Sequence, residues 1–203
     1  MRRTRAAVTV MVLAGATLWT AAGTAGAAPV QGPRAVAACP TGWGSGAKGG
    51  AAVGAEHLTD IRTGQHECYD RIVFDVPGGG DRIGYHVQYV DRFHADPSGQ
   101  YIPVAGGAVL DIHVDAWSYD LEAGKPTYPG KVGEALPGVN VGGYRTFRDT
   151  RFGGTFEGRT QVGLGVRARL PFRVIQLDGR IVVDVAHSWT SQPTPLAPAV
   201  NGR

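Results

Sequence analysis

Three ionisable side chains alternate along one apolar segment of the chain. Asp111, His113 and Asp115 occupy every second position between residues 108 and 117, with apolar residues between them. Alternate side chains of a β-strand share a face and stand ~6.8 Å apart, so one metal ion would need ligands from another strand to bind all three. The alternation is interpreted as the solvated face of a half-buried antiparallel strand. No metal site and no cofactor are predicted.

A second group of reactive residue types ends the last apolar segment, where Asp184 is followed by His187 and Ser188. In hydrolases a carboxylate orients a histidine that activates a serine. Neighbouring residues of a strand point to opposite faces, however, and the sequence contains no Gly-x-Ser-x-Gly elbow. We therefore expect a partly buried, hydrogen-bonded His187 and no catalytic residue. A hydrolase of envelope polymers that uses Asp184 with His187 is the less favoured alternative.

Arginines and aromatic residues interleave between residues 144 and 152 and form the first candidate binding site. Its members are Tyr144, Arg145, Phe147, Arg148 and Arg151. Arginine forks bind carboxylates or phosphates, and aromatic rings lie against sugars, so this segment suits a glycan or a peptide. In the alternative interpretation the aromatic rings pack inward and the arginines pair with Asp149 and Glu157.

Trp117 and Tyr119 form the second candidate site, at the end of the alternating segment. An exposed aromatic ring at a strand end is able to stack on a sugar. The alternative is that both rings pack at the rim of the core.

The segments that must position these residues are short and have a period of two. Strands are predicted at residues 71–76, 85–90, 108–117 and 162–168, and a hairpin at 172–186 turns at Asp178-Gly179. Residues 71–76 and 180–185 match at five of six positions, which favours a sheet pair with approximate internal symmetry. The predicted fold is all-β, a small antiparallel β-sandwich with Gly- and Pro-rich loops.

Several of these segments together resemble a known family, the AMIN-like domain of secreted actinobacterial proteins, which is related to the AMIN domain. The resemblance covers about residues 55–190, and its motifs are residues 71–76, 84–90, Gly154-Thr-Phe-Glu-Gly158, Val162-Gly-Leu-Gly-Val166, 172–177 and 180–187. It implies a small β-sandwich of the cell envelope. Classical AMIN domains are targeting modules that bind peptidoglycan.

The segments outside residues 55–190 indicate export. Residues 1–27 have a basic start, an apolar stretch and an Ala-Gly-Ala end, which predicts a signal peptide cut after Ala27 or Ala28; an uncleaved membrane anchor is the alternative. Residues 28–54 are interpreted as a flexible Ala/Gly-rich arm, and residues 191–203 as a disordered tail. Outside the cytosol, the two cysteines, Cys39 and Cys68, are expected to form a disulfide.

The charge balance argues against nucleic acid as a partner. Once Arg2, Arg3 and Arg5 of the predicted signal are set aside, 17 basic and 17 acidic residues remain. The sequence thus predicts a secreted or wall-associated, non-catalytic envelope module that binds peptidoglycan or an envelope protein, with no stable membrane span after signal cleavage. A secreted protein-interaction module is the alternative.

Overall fold

The computed structural model describes residue 39, residues 42–51 and residues 56–189. These residues form strands, turns and loops, and they contain no helix. The strands are β1 (Lys48–Gly50), β2 (Glu56–His57), β3 (Asp60–Gln65), β4 (Tyr69–Asp75), β5 (Tyr85–Val90), β6 (His94–Ala95), β7 (Gln100–Tyr101), β8 (Ala108–Val114), β9 (Ala116–Trp117), β10 (Tyr119–Asp120), β11 (Lys125–Pro126), β12 (Phe147–Phe156), β13 (Arg159–Val166), β14 (Phe172–Leu177) and β15 (Arg180–Ala186).

Two antiparallel sheets form the sandwich. The first has the order β1-β5-β8-β13-β12 and the second β14-β15-β4-β3. One apolar core lies between the two sheets, because alternate side chains of each strand point inward. Leu110, Ile112 and Leu164 come from the first sheet, and Phe74 and Phe172 come from the second. All five side chains are fully buried. The all-β sandwich predicted from the sequence is confirmed.

The two similar hexapeptides are neighbouring strands, β4 and β15. Their antiparallel register places Arg71 opposite Asp184 and Arg180 opposite Asp75, so each arginine meets the carboxylate of the other copy. The Nε–carboxylate distances are 2.6 Å for Arg71–Asp184 and 3.0 Å for Arg180–Asp75. Cross-strand pairs of opposite charge stabilise a sheet. The repeated sequence therefore forms the sheet pair that was predicted.

Acid is expected to weaken the β3–β4–β15 face through Asp75. The Arg62 guanidinium, 2.6 Å away, holds the pKa of Asp75 below its ordinary value, and Arg180 adds to this. A carboxyl whose pKa is lower in the folded state contributes stability above its unfolded pKa, about 4, and loses it as the pH falls through the folded value. Urea unfolding between pH 5 and pH 2 should show a shallower loss of stability for Asp75→Asn than for the wild type. Asp178→Asn, in an exposed turn, is the control, and equal pH slopes in all three proteins would contradict the expectation.

The outer face of the five-stranded sheet is covered by residues 91–107, called here the cover segment. Its Phe93, Ala95 and Ile102 form a small second core against this face. Glycines on the sheet permit the close approach, because a Cβ at Gly163 would lie 2.8 Å from the Phe93 ring and one at Gly165 would lie 1.9 Å from the carbonyl oxygen of Ala105. Glycine inside a strand marks such contacts.

A disulfide joins Cys39 to Cys68, as predicted from the sequence. Part of the predicted arm lies on the sandwich: β1 pairs with β5, and Phe172 donates its main-chain N–H to the carbonyl of Gly44 at 2.9 Å. The guanidinium of Arg173 also lies 4.4 Å from the centre of the Trp43 ring. The arm is therefore not a free segment over residues 48–50, because main-chain hydrogen bonds hold it to the sheet edge.

Replacing both cysteines by serine should lower the free energy of unfolding by about 3–4 kcal/mol, since closing a loop of this length restricts the unfolded chain by that amount. The sequence separation is 29 residues. Urea unfolding of the double variant beside the oxidised wild type measures the difference. Two free thiols in the denatured, unreduced wild type, or equal unfolding midpoints, would contradict the expectation.

The predicted signal (residues 1–27) and tail (residues 191–203) lie outside the described residues. Within the part of the chain that the structure describes, no helix is long and apolar enough to cross a membrane.

Candidate binding sites

The interpretation of Asp111 and His113 as a solvated face is wrong. Both residues are only 8% exposed, because the cover segment lies over them. Asp111 Oδ2 lies 3.2 Å from His113 Nε2, and Asp111 Oδ1 accepts a hydrogen bond from Gln161 Nε2 at 3.1 Å. Asp115 lies apart and binds Arg159 at 2.8 Å. Among the described residues, no group of three or more His, Cys, Asp or Glu side chains is arranged to hold a metal ion.

His187 is nearly buried and hydrogen-bonded, as expected, but its carboxylate partner is Asp70. The Nε2 atom of His187 lies 2.9 Å from Asp70 Oδ1, and Nδ1 lies 3.1 Å from the carbonyl oxygen of Glu67. The alternative pairing with Asp184 is wrong, since that carboxylate binds Arg71 and Arg173. Both ring nitrogens of His187 are occupied by protein atoms, so neither is free to accept a proton from a substrate.

The segment 144–152 turns its aromatic rings inward. Phe147 is fully buried, and Tyr144 is half-buried with its hydroxyl 3.2 Å from Thr63 Oγ1. Arg151 binds Asp149 at 3.0 Å, which agrees with the inward-packing alternative. The expected pairing with Glu157 is not seen among the described residues, because Arg151 binds Asp149 while Arg145 and Arg148 donate to main-chain carbonyls.

Arg145 and Arg148 are the exposed members of this segment. Arg145 donates to the carbonyl of Glu67 at 3.2 Å, and Arg148 donates to the carbonyls of Tyr144 and Phe147, both at 2.8 Å. Each guanidinium has five N–H donors, so both arginines retain donors for a ligand. The same bonds tie the segment to itself and to the β3–β4 turn.

Trp117 and Tyr119 line a surface groove of about 370 Å³, called here the Trp117 groove. The parallel pairing of β2 with β9 sets His57 beside Trp117, and the indole lies against Gly158, where a Cβ would be 3.3 Å away. Tyr119 is 39% exposed, and Leu121, which also lines the groove, is 70% exposed. The Trp117 groove therefore presents exposed aromatic surface next to polar side chains.

Asp120 supplies a fixed negative charge at the rim of the Trp117 groove. Its Oδ1 accepts hydrogen bonds from the main-chain N–H groups of Glu122 and Ala123, both at 2.9 Å. The hydrogen bond from the main chain of Ala123, and secondly the one from Glu122, lower the pKa of Asp120 below its ordinary value. The carboxylate is thus held ionised and oriented at neutral pH.

The two sequence-predicted sites lie at opposite ends of the sandwich. Trp117 contacts the turn after Phe156, whereas Tyr144 and Arg145 precede Phe147 at the start of β12. That strand has ten residues and spans about 30 Å at ~3.3 Å per residue. The structure does not bring the two candidate sites together.

A third site, missed by the sequence analysis, is a cleft of about 160 Å³ beside His113, called here the His113 cleft. It is lined by Asp96 of the cover segment, Phe156 at the end of β12, Glu157 in the β12–β13 turn and Arg159 at the start of β13. These residues come from three separate parts of the chain, so no spacing in the sequence relates them. The only sequence feature that pointed to the His113 cleft was the Asp-x-His pattern of β8.

The fold and these surfaces define the chain as a small antiparallel β-sandwich that offers clefts and grooves on its surface. A protein-family model described as the AMIN-like domain matches residues 56–187. The match covers well over half of the chain, which therefore belongs to the AMIN-like domain family. Membership indicates a module associated with the cell envelope, and AMIN-like domains are generally non-catalytic binding modules. No curated protein matches the chain, and no solved structure matches it either.

Proposed function

We propose that this protein is exported and acts as a non-catalytic module that binds peptidoglycan, with the Trp117 groove holding the glycan. The observation that carries the proposal is the exposed aromatic surface of this groove beside oriented polar groups, in a chain of an envelope-associated family. An aromatic ring takes the apolar face of a sugar, and adjacent polar side chains take its hydroxyls.

The composition of the Trp117 groove suits an uncharged glycan better than a polyanion. Its charged side chains, Asp120 and Glu122, are both acidic, and a phosphate-rich polymer would meet repulsion there. His57 and the hydroxyl of Tyr119 add groups able to donate and accept hydrogen bonds. The groove also lies within the range of ~300–1,000 Å³ that is common for ligand pockets.

Sedimentation with purified insoluble peptidoglycan tests the function. The mature protein should pellet with the wall material while no soluble fragments are released from it. Release of labelled fragments would instead support the hydrolase alternative. If the protein stays in the supernatant, peptidoglycan binding is refuted and an envelope protein becomes the expected partner.

The arginine segment is tested in the same assay with the double variant Arg145→Ala, Arg148→Ala. If these side chains contact the wall, the affinity of the double variant for peptidoglycan should be about tenfold or more below that of the wild type. The reason is that each charge-assisted hydrogen bond contributes ~1.5–3 kcal/mol. The thermal midpoint should fall only slightly, because both side chains are exposed and bind loop carbonyls. Unchanged binding would exclude the segment as a contact and leave the Trp117 groove as the proposed site.

A further inference from the structure

One ring nitrogen of His113 forms a hydrogen bond with another side chain of the protein, and the other ring nitrogen does not. Nε2 faces the carboxylate of Asp111 at 3.2 Å, and a carboxylate only accepts, so Nε2 carries the proton and donates it. In the neutral ring Nδ1 is then an acceptor. Among the residues that the structure describes, Nδ1 of His113 is a buried side-chain atom without a hydrogen-bond partner. Buried polar atoms in native proteins nearly always have one.

The His113 cleft places a second acceptor opposite this nitrogen. Asp96 Oδ2 lies 3.9 Å from His113 Nδ1, too far for a direct bond and close enough for one donor atom to reach both. Asp96 is exposed, and its side chain is free to adjust by the few tenths of an ångström that such a bridge needs. A group with at least two protons would bridge His113 Nδ1 and Asp96 Oδ2.

The charge of the His113 cleft selects among such groups. The cleft is lined by the carboxylates of Asp96 and Glu157 and by one cation, Arg159, whose Nε already donates to Asp115 at 2.8 Å. The unbalanced charge is therefore negative. A carboxylate or phosphate would be repelled, and a hydroxyl would bring only one proton. A water molecule would bring two protons but no charge, so a cation with two or more N–H protons is the group that satisfies both acceptors and also balances the carboxylates.

We propose that the His113 cleft binds a primary ammonium group carried on an aliphatic chain. The ammonium donates one proton to His113 Nδ1 and another to Asp96, and its positive charge is balanced by the carboxylates. Phe156, which is 43% exposed, offers an apolar surface for the methylene groups behind the charge.

The source of this ammonium rests on the proposed function. Stem peptides of peptidoglycan carry a diamino acid whose side-chain amine is free until cross-linking converts it to an amide. An amide nitrogen has no charge and too few protons for both acceptors. The module would therefore prefer wall that is not yet cross-linked, with the glycan in the Trp117 groove and the free amine in the His113 cleft.

An NMR titration of the mature protein with defined soluble probes tests the proposal. The first probe is a disaccharide-tripeptide with a free diamino-acid amine, the second is the same molecule acetylated at that amine, and the third is pentylamine. The free-amine muropeptide should shift the His113 Nδ1 resonance and bind about tenfold or more tightly than its acetylated form. Asp96→Asn should remove that difference without unfolding the protein, because the structure shows only the main-chain N–H of Asp96 in a hydrogen bond. Asp178→Asn, with the same loss of charge in an exposed turn, should behave as the wild type.

The outcomes separate this proposal from peptidoglycan binding itself. Equal affinity for both muropeptides, unchanged by Asp96→Asn, would overturn the ammonium site and leave wall binding intact. A His113 shift with pentylamine but with neither muropeptide would support the ammonium site and overturn the stem peptide as its source. No response to any of the three probes would overturn the site and its source together.

Discussion

Replacing Asp70 by alanine is expected to lower the free energy of unfolding by about 4 kcal/mol, as for other broken buried charge networks. The Asp70 side chain is fully buried, and its Oδ2 accepts the main-chain N–H groups of Thr146 at 2.5 Å and Phe147 at 3.1 Å. Its Oδ1 holds His187. One carboxylate thus joins β4 to the start of β12 and to the residue that follows β15. Alanine would leave two buried amides without an acceptor.

Urea unfolding at pH 7 measures this effect. Asp91→Ala is the matched control, since Asp91 is exposed and its loss should change stability by less than about 0.5 kcal/mol. His187→Ala keeps both amide bonds and should cost about half as much as Asp70→Ala. A loss below about 1 kcal/mol for Asp70→Ala would show that the carboxylate does not hold the two sheets as described.

Gly165→Val should also lower the free energy of unfolding by about 4 kcal/mol, which is at the upper end of the losses caused by overpacking a core. A Cβ at this position of β13 would lie 1.9 Å from the carbonyl oxygen of Ala105 and 3.0 Å from Val104 Cγ1. The backbone at Gly165 is not in the left-handed region, so the cost is steric. The cover segment would have to leave the sheet, exposing Phe93 and Ile102.

Gly64→Val is the control for a strand glycine with open space. A Cβ at Gly64 would have only His66 Nε2 near it, at 3.9 Å, and β3 is an edge strand. Valine favours strands, so the change in stability should stay within about 0.5 kcal/mol. Equal unfolding midpoints for the two variants would mean that the cover segment does not pack against β13.

The strands could be predicted because their information is local. Period-two alternation marked residues 85–90 and 108–117, and the Asp178-Gly179 turn fixed the last hairpin. The repeat of residues 71–76 at 180–185 even indicated a pair, since an arginine and an aspartate at matching positions meet when the two copies run antiparallel. The disulfide could be predicted from the count of cysteines together with the prediction that the chain is exported.

The candidate sites were harder to predict, because they depend on contacts between distant residues. His187 binds Asp70, which is 117 positions away in the sequence. No local sequence pattern around either residue predicts this pairing. The cover segment has few apolar residues and no regular period, so the burial of His113 was missed. One signal was present: Gly163 and Gly165 alternate within a strand, and glycine there indicates that another part of the chain approaches closely.

The most direct test of glycan binding in the Trp117 groove is the equilibrium affinity for purified insoluble peptidoglycan, measured by depletion of the supernatant. Trp117→Ala should weaken binding about tenfold or more, as buried tryptophan contacts do at interfaces. Trp189→Ala removes an exposed indole outside the Trp117 groove and should bind as the wild type does. Equal affinity of the wild type and both variants would contradict the account.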